Sequence, residues 1–223
     1  ADKTLLESAS NGWELHLWTG EEYSGGGYTY FMKFANDKVT VSSDIAPADM
    51  KTTSSYDVIS DQGPVLTVNT FNEIFHYLAE PSMDDDDGEQ QDYEFVIMRT
   101  TNDSIYLRGK KWGNHMVMTR VAESTSWEDE INKMQQMDDD LMMTFALTEG
   151  NDTLGDVSLS DDRILTFTNK QGDYKKIPYY VSTKGITLAK PLEVNGKSLQ
   201  ELNYNTEDMS FTPEGTTAQG MKL

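Results

Sequence analysis

Four carboxylates in a row, Asp84-Asp85-Asp86-Asp87, followed by Gly88 and Glu89, form the densest run of hard oxygen ligands in the chain. Set against the calcium loop of an EF-hand, a frame from Met83 to Glu94 puts Asp85, Asp87, Gly88 and Glu94 at the third, fifth, sixth and twelfth positions. Met83 stands at the first ligand position and Glu94 falls in a predicted strand, so a solvated charged loop is expected. Asp85, Asp87 and Glu94 remain the candidate metal ligands, and no cofactor is expected.

Gly196-Lys197-Ser198 has the ending of a phosphate-binding loop, but Pro191 replaces the earlier glycine and no helix is predicted to follow. Asn195-Gly196 is therefore read as a hairpin turn. The three imidazoles, His16, His76 and His115, lack the short helical spacing of a zinc protease, and no serine nucleophile elbow occurs. A glycosidase pair among 38 carboxylates would be recognised only by its separation across a cleft. A hydrolase using carboxylates or a bound metal is thus the alternative reading, and no catalytic residue is singled out.

Flat aromatic faces stack on sugars and anchor peptides. Trp18, Tyr23, Tyr28 and Tyr30, beside Trp13, crowd the stretch around the glycine loop Gly25-Gly26-Gly27 and are the candidate ligand platform, with strand packing as the plainer explanation. If all four are buried, the platform fails. Arg99, Arg108, Lys110, Lys111 and Arg120 gather in one acidic-flanked stretch and are read as neutralising acidic loops, with an anion-binding patch as the alternative. Asp103-Ser104-Ile105 and Asp152-Thr153-Leu154 resemble a short O-glycosylation pattern of exported bacterial proteins, with Ser104 and Thr153 as acceptors.

The elements that must position these residues are strands. From Asp92 to Val121, Tyr93, Phe95 and Ile97 alternate with Glu94, Val96 and Met98, and the beat resumes after Asn102-Asp103 and Gly113-Asn114. A period of two sends Phe95, Ile97, Ile105 and Leu107 to one buried face. Trp13 to Thr19, Tyr28 to Ala35, Lys38 to Ser43, Ser55 to Ser60 and Val65 to Thr70 behave likewise, with a hairpin at Asn36-Asp37. Helical spacing is confined to Asp2 to Ser10, to Phe71 to Ala79, and to Ser124 to Asp140, where Ser126 and Asp129 resemble a capping box.

After that helix six or seven strands follow, and a polar tail after Pro213. The fold class is all-β with one or two short helices: an antiparallel meander barrel or sandwich, lipocalin-like in the first half, followed by a second smaller β unit. Expected divisions are residues 1–123, a connecting helix 124–140, and 141–223, with the two β units able to form one domain.

A chain of 223 residues buries a core without disulfides or metals. Its net charge of −20 repels phosphates, so nucleic acid is excluded as a partner. There is no cysteine, hence no thiolate nucleophile or Cys-ligated metal, and no apolar run reaches the roughly 20 residues that span a bilayer. The chain starts at Ala1 without a basic, apolar leader, as expected of a mature chain whose export signal has been removed.

The ordered string Leu5-Leu6-Glu7-Ser8-Ala9, Asn11-Gly12-Trp13, Tyr28-Thr29-Tyr30-Phe31-Met32-Lys33-Phe34, Ser54-Ser55-Tyr56 and Gly63-Pro64-Val65-Leu66-Thr67 carries a resemblance. It continues through Phe71-Asn72, His76, Asp92-Tyr93-Glu94-Phe95 and Leu107-Arg108-Gly109-Lys110-Lys111. These residues resemble an uncharacterised family of lipoproteins from Bacteroides-type gut bacteria, a numbered domain of unknown function. The resemblance implies export, a lipid anchor upstream of Ala1 and residence on the outer membrane. The expected function is that of a non-catalytic, surface-exposed, monomeric protein binding a glycan, a peptide or an envelope partner. A structural or assembly role in an outer-membrane complex is a further alternative.

Overall fold

The computed structural model describes residues 1–77, 90–215 and 220–223. It divides into two compact units: Ala1–Tyr23 with Tyr28–Asn132, and Ser24–Gly27 with Lys133–Leu223.

In the first unit, helix α1 (Asp2–Glu7) precedes eight strands: β1 (Trp13–Trp18), β2 (Gly27–Ala35), β3 (Lys38–Ser43), β4 (Thr52–Ser60), β5 (Pro64–Val68), β6 (Glu94–Thr100), β7 (Ser104–Gly109) and β8 (His115–Arg120). Each pairs with its neighbour in sequence, and β1 pairs with β8 through Trp13↔Arg120 and Leu15↔Met118, which closes an up-and-down barrel. Closure leaves no unpaired edge in this sheet. Asn36 and Asp37 at the β2–β3 turn both have positive φ, 52° and 61°, the geometry of a two-residue turn that matches strand twist.

Alternation fills the barrel. Trp13, Leu15 and Leu17 of β1, Tyr30, Met32 and Phe34 of β2, Phe95 of β6, and Ile105 and Leu107 of β7 are buried in one cluster. Edge-to-face pairs Phe34–Tyr56 and Tyr30–Phe75, with centroids 4.7 and 5.2 Å apart, fill the remaining width. α1 stops one end: Leu6 and Ala9 join the cluster, Trp13 Nε1 donates to the Leu6 carbonyl at 2.9 Å, and Tyr56 OH donates to Glu7 at 2.7 Å. Ile74 and Phe75 enter the same cluster from the β5–β6 connection. The helix expected over Phe71 to Ala79 is, in its described part, a set of turns over residues 73–76, with Asn72 Oδ1 accepting from the Phe75 amide.

Helix α2 (Trp127–Asp140) begins as its sequence requires, with Ser126 Oγ accepting from the Asp129 amide at 3.2 Å. The chain's division into units falls within it, between Asn132 and Lys133. On its first turn Trp127 stacks on Phe31, 5.6 Å between centroids, and donates to the Asn11 carbonyl. Gly12 (φ 76°) makes room for this: a Cβ there would lie 2.5 Å from the Met32 carbonyl oxygen and 2.8 Å from the Trp127 ring.

The second unit holds β9 (Thr144–Glu149), β10 (Asp152–Leu159), β11 (Ile164–Asn169), β12 (Tyr174–Val181), β13 (Gly185–Val194), β14 (Lys197–Asn205), β15 (Ser210–Pro213) and β16 (Met221–Lys222), in the sheet order β15-β14-β13-β12-β11-β10-β9-β16. The tail after Pro213 therefore contributes a strand where none was expected. Met221 pairs with Glu149, and the Phe211 and Leu223 amides each donate to the other's carbonyl, so β16 bridges the two ends of the sheet. Phe211 packs on Phe145 and Tyr204 at 5.0 Å from each. Asn195 and Gly196 have φ 51° and 73°, a hairpin turn and not a phosphate cradle. Among the described residues no helix is long and apolar enough to cross a membrane.

Candidate functional site

The connections β1–β2, β5–β6 and β7–β8 meet at one rim of the first barrel, where buried polar side chains fasten them. Asn114, 1% exposed, donates to the carbonyls of Trp18 (3.2 Å) and Gly20 (2.7 Å) and accepts from the Tyr23 amide (3.0 Å). Tyr23 OH in turn accepts from the His115 amide, and the Gly20 amide donates to the Gln90 carbonyl. Such full satisfaction makes a buried polar residue rigidifying and not costly. In the sequence, Asn114 looked like an ordinary turn residue.

Asp92 does the same work for the β7–β8 loop. Its carboxylate, 2% exposed, accepts from the amides of Lys111 (2.8 Å) and Trp112 (3.2 Å). Burial pushes the carboxyl above its ordinary range, while those amides and the charges of Lys111 and Arg108 pull it down. A Cβ on Gly109 would sit 1.9 Å from an Asp92 carboxylate oxygen, so glycine is what admits the acid. Gln91, also buried, accepts from Tyr30 OH at 2.8 Å and donates to the Phe75 carbonyl.

Gln91 and Asp92 are two walls of a recess of about 250 Å³ lined also by Tyr93, Glu94, Lys110 and Lys111. Lys110 is held charged by Asp61 at 2.9 Å and Glu94 at 3.6 Å. Beside it runs a line of aromatic rings: Phe71 stacks on His76 (5.6 Å, 26°), and His76 faces Tyr93 (5.4 Å, 48°). Phe71 is 62% and Tyr93 43% exposed. Among the described residues, Phe71–His76–Tyr93 thus forms a continuous line of aromatic rings on this rim. None of the three was singled out as a platform, since Phe71 and His76 are far from Tyr93 in sequence and meet only through the pairing of β5 with β6.

Over residues 1–206 the sequence matches the profile of a domain of unknown function, DUF4302. The chain belongs to that family. No curated protein and no solved structure matches it. The DUF4302 match ends before β15 and β16, the strands that complete the second sheet.

The platform expected of this DUF4302 chain is dispersed. Tyr30 is inside the barrel, and Tyr28 packs against the core. Trp18 and Tyr23 are partly exposed and meet edge-on at 6.4 Å, with Tyr23 committed to the loop fastening. Of the candidate metal ligands, Asp85 and Asp87 lie outside the described residues, and Glu94 begins β6 beside Lys110. Among the described residues no group of three His, Cys, Asp or Glu could hold a metal ion. Ser104 opens β7, its amide held by Thr101 Oγ1, and Thr153 lies exposed on β10.

The basic residues are engaged locally: Arg99 lies over the Tyr106 ring at 3.9 Å, and Arg120 lies over Trp13 at 4.7 Å and donates to the Asn102 carbonyl. One titratable cluster stands apart from the rim, on the outward face of β1. Glu14 Oε1 is 3.6 Å from His16 Nε2, and His16 Nδ1 shares a proton with Thr29 Oγ1 at 2.9 Å. Burial, then the charges of Glu130 and Asp44, raise the Glu14 carboxyl to about 7, and burial lowers His16 to about 4. Around pH 6 this is a neutral acid beside a neutral imidazole.

Proposed function

We propose that this chain is a non-catalytic, lipid-anchored protein of the outer membrane that binds a glycan at the rim of its first barrel. The observation that carries the proposal is the exposed line Phe71–His76–Tyr93 beside a recess whose Asp92 and Gln91 walls are fixed by hydrogen bonds. Fixed walls cut the ordering cost of binding, and an exposed ring supplies the apolar face of a sugar with a surface to stack on. The barrel interior is occupied by its own aromatic side chains, which favours a ligand carried on the rim over one enclosed within. The acidic, cysteine-free composition is compatible with export.

The test is a glycan array followed by titration of wild type, Phe71→Ala and Tyr93→Ala. Loss of about tenfold in affinity on truncating either ring supports the proposal, as expected for an aromatic contact at the centre of a site. Glycan binding indifferent to both overturns the site. Binding of peptides or of a co-purified envelope protein with no glycan bound overturns the ligand class. Labelling of the native protein by radioactive palmitate checks the anchor. A hydrolase draws on the Glu14–His16 cluster, and Glu14→Gln abolishing a measured hydrolysis would favour it over the binding reading.

A further inference from the structure

We infer that the second unit carries its own carbohydrate site, a groove at the hairpin end of its sheet that takes a neutral oligosaccharide. The groove, about 530 Å³, runs between the β9–β10, β11–β12 and β13–β14 turns. Its size lies within the range of small-ligand sites. A β-bulge in β10, between Thr153 and Gly155, takes Leu154 out of the pairing with β9. Gly155 permits this course, since a Cβ there would lie 2.7 Å from the Phe167 ring. Bulges of this kind redirect side chains beside functional sites. Leu154 and Phe167 thereby give the groove its apolar patches.

The polar lining decides the class of ligand. Asp152, Thr153, Lys170 and Gln171 line the groove with side chains that make no hydrogen bond or ion pair to other described residues. They offer a carboxylate, a hydroxyl, an ammonium and an amide, donors and acceptors together, which is what a row of sugar hydroxyls requires. The backbone of the β11–β12 turn is already committed: the Gln171 and Asp173 amides donate to Asn169 Oδ1, and the Gly172 amide donates to the Asn169 carbonyl. A peptide adding as a strand would find those three amides already engaged.

Charge narrows the choice further. Asp152 and Glu193 are balanced by Lys170 and Lys175, so the groove is locally neutral on a chain of net charge −20. A polyanion is repelled by the whole molecule, and a polycation is drawn instead to the recess holding Asp138, Asp139 and Asp161.

The ligand class rests on the glycan reading above, but the site does not. Neutral gluco-, manno-, galacto- and xylo-oligosaccharides are titrated into the full chain by ligand-observed NMR, with Thr153→Ala/Gln171→Ala and Tyr93→Ala variants alongside. Both sites of change in the double variant are exposed, so an unchanged melting curve is expected. A loss of about tenfold in affinity for one oligosaccharide in the double variant supports the groove. Binding sensitive to Tyr93→Ala alone overturns the groove and leaves the rim site standing. Absence of binding by every neutral oligosaccharide overturns both.

Discussion

Replacing Glu14 or His16 singly should tilt the pH dependence of stability in opposite directions. Glu14 is raised from 4.5 to about 7, so the folded state holds its proton across a window in which the unfolded chain has lost it. Stability from Glu14 is therefore full below pH 4.5 and disappears as pH rises to 7. His16 is lowered from 6.5 to about 4, so the unfolded chain takes up a proton that the folded state refuses. Its contribution is full above pH 6.5 and is lost as pH falls to 4.

Each shift spans about 2.5 units, and at about 1.4 kcal/mol per unit each is worth about 3 kcal/mol. In the wild type the two slopes cancel between pH 4.5 and 6.5, because folded and unfolded states each hold one proton on the pair. The assay is urea denaturation of wild type, Glu14→Gln and His16→Gln at half-unit steps from pH 4 to 8, with constant m-values required. Taking differences from wild type removes the other carboxylates. The Glu14→Gln difference should rise by about 3 kcal/mol from pH 4.5 to 7, and the His16→Gln difference should fall by about as much from pH 4 to 6.5. Flat differences for both variants would refute the reasoning.

Three further perturbations probe the framework. Asn114→Ala removes three hydrogen bonds of a buried side chain, to the Trp18 and Gly20 carbonyls and from the Tyr23 amide, and should destabilise the first barrel by about 2–3 kcal/mol in denaturant. Gly109→Ala drives a methyl into the Asp92 carboxylate and should cost about 2 kcal/mol or more, with amide exchange quickened at Lys111 and Trp112; an unchanged midpoint would refute the close approach. Ending the chain at residue 206 removes β15 and β16, exposing β9 and β14 as edges, so the product should melt lower and self-associate in sedimentation analysis.

Strand positions were legible in the sequence wherever one face is buried, because the alternation of Phe95, Ile97, Ile105 and Leu107 has no other packing solution. Turns with chemically distinctive residues, Asn36-Asp37 and Asn195-Gly196, were legible for the same local reason. β16 was not, since two residues in a polar tail carry no period and their pairing is set by distant β9. The rim escaped for a related cause. Asn114 and Asp92 are ordinary polar residues until closure buries them, and Phe71, His76 and Tyr93 align only across the β5–β6 connection. Tyr30 was legible as a strand aromatic, but alternation alone did not say which face of β2 turned inward.

The rim site is tested most directly by amide chemical-shift mapping of the full chain with a glycan selected on the array. The account predicts shifts concentrated at Tyr93, Glu94, Lys110, Lys111 and Trp112, with the amides of Leu15, Met32 and Leu107 unmoved. Saturable shifts centred instead on Glu14 and His16, or spread through the barrel interior, would contradict it.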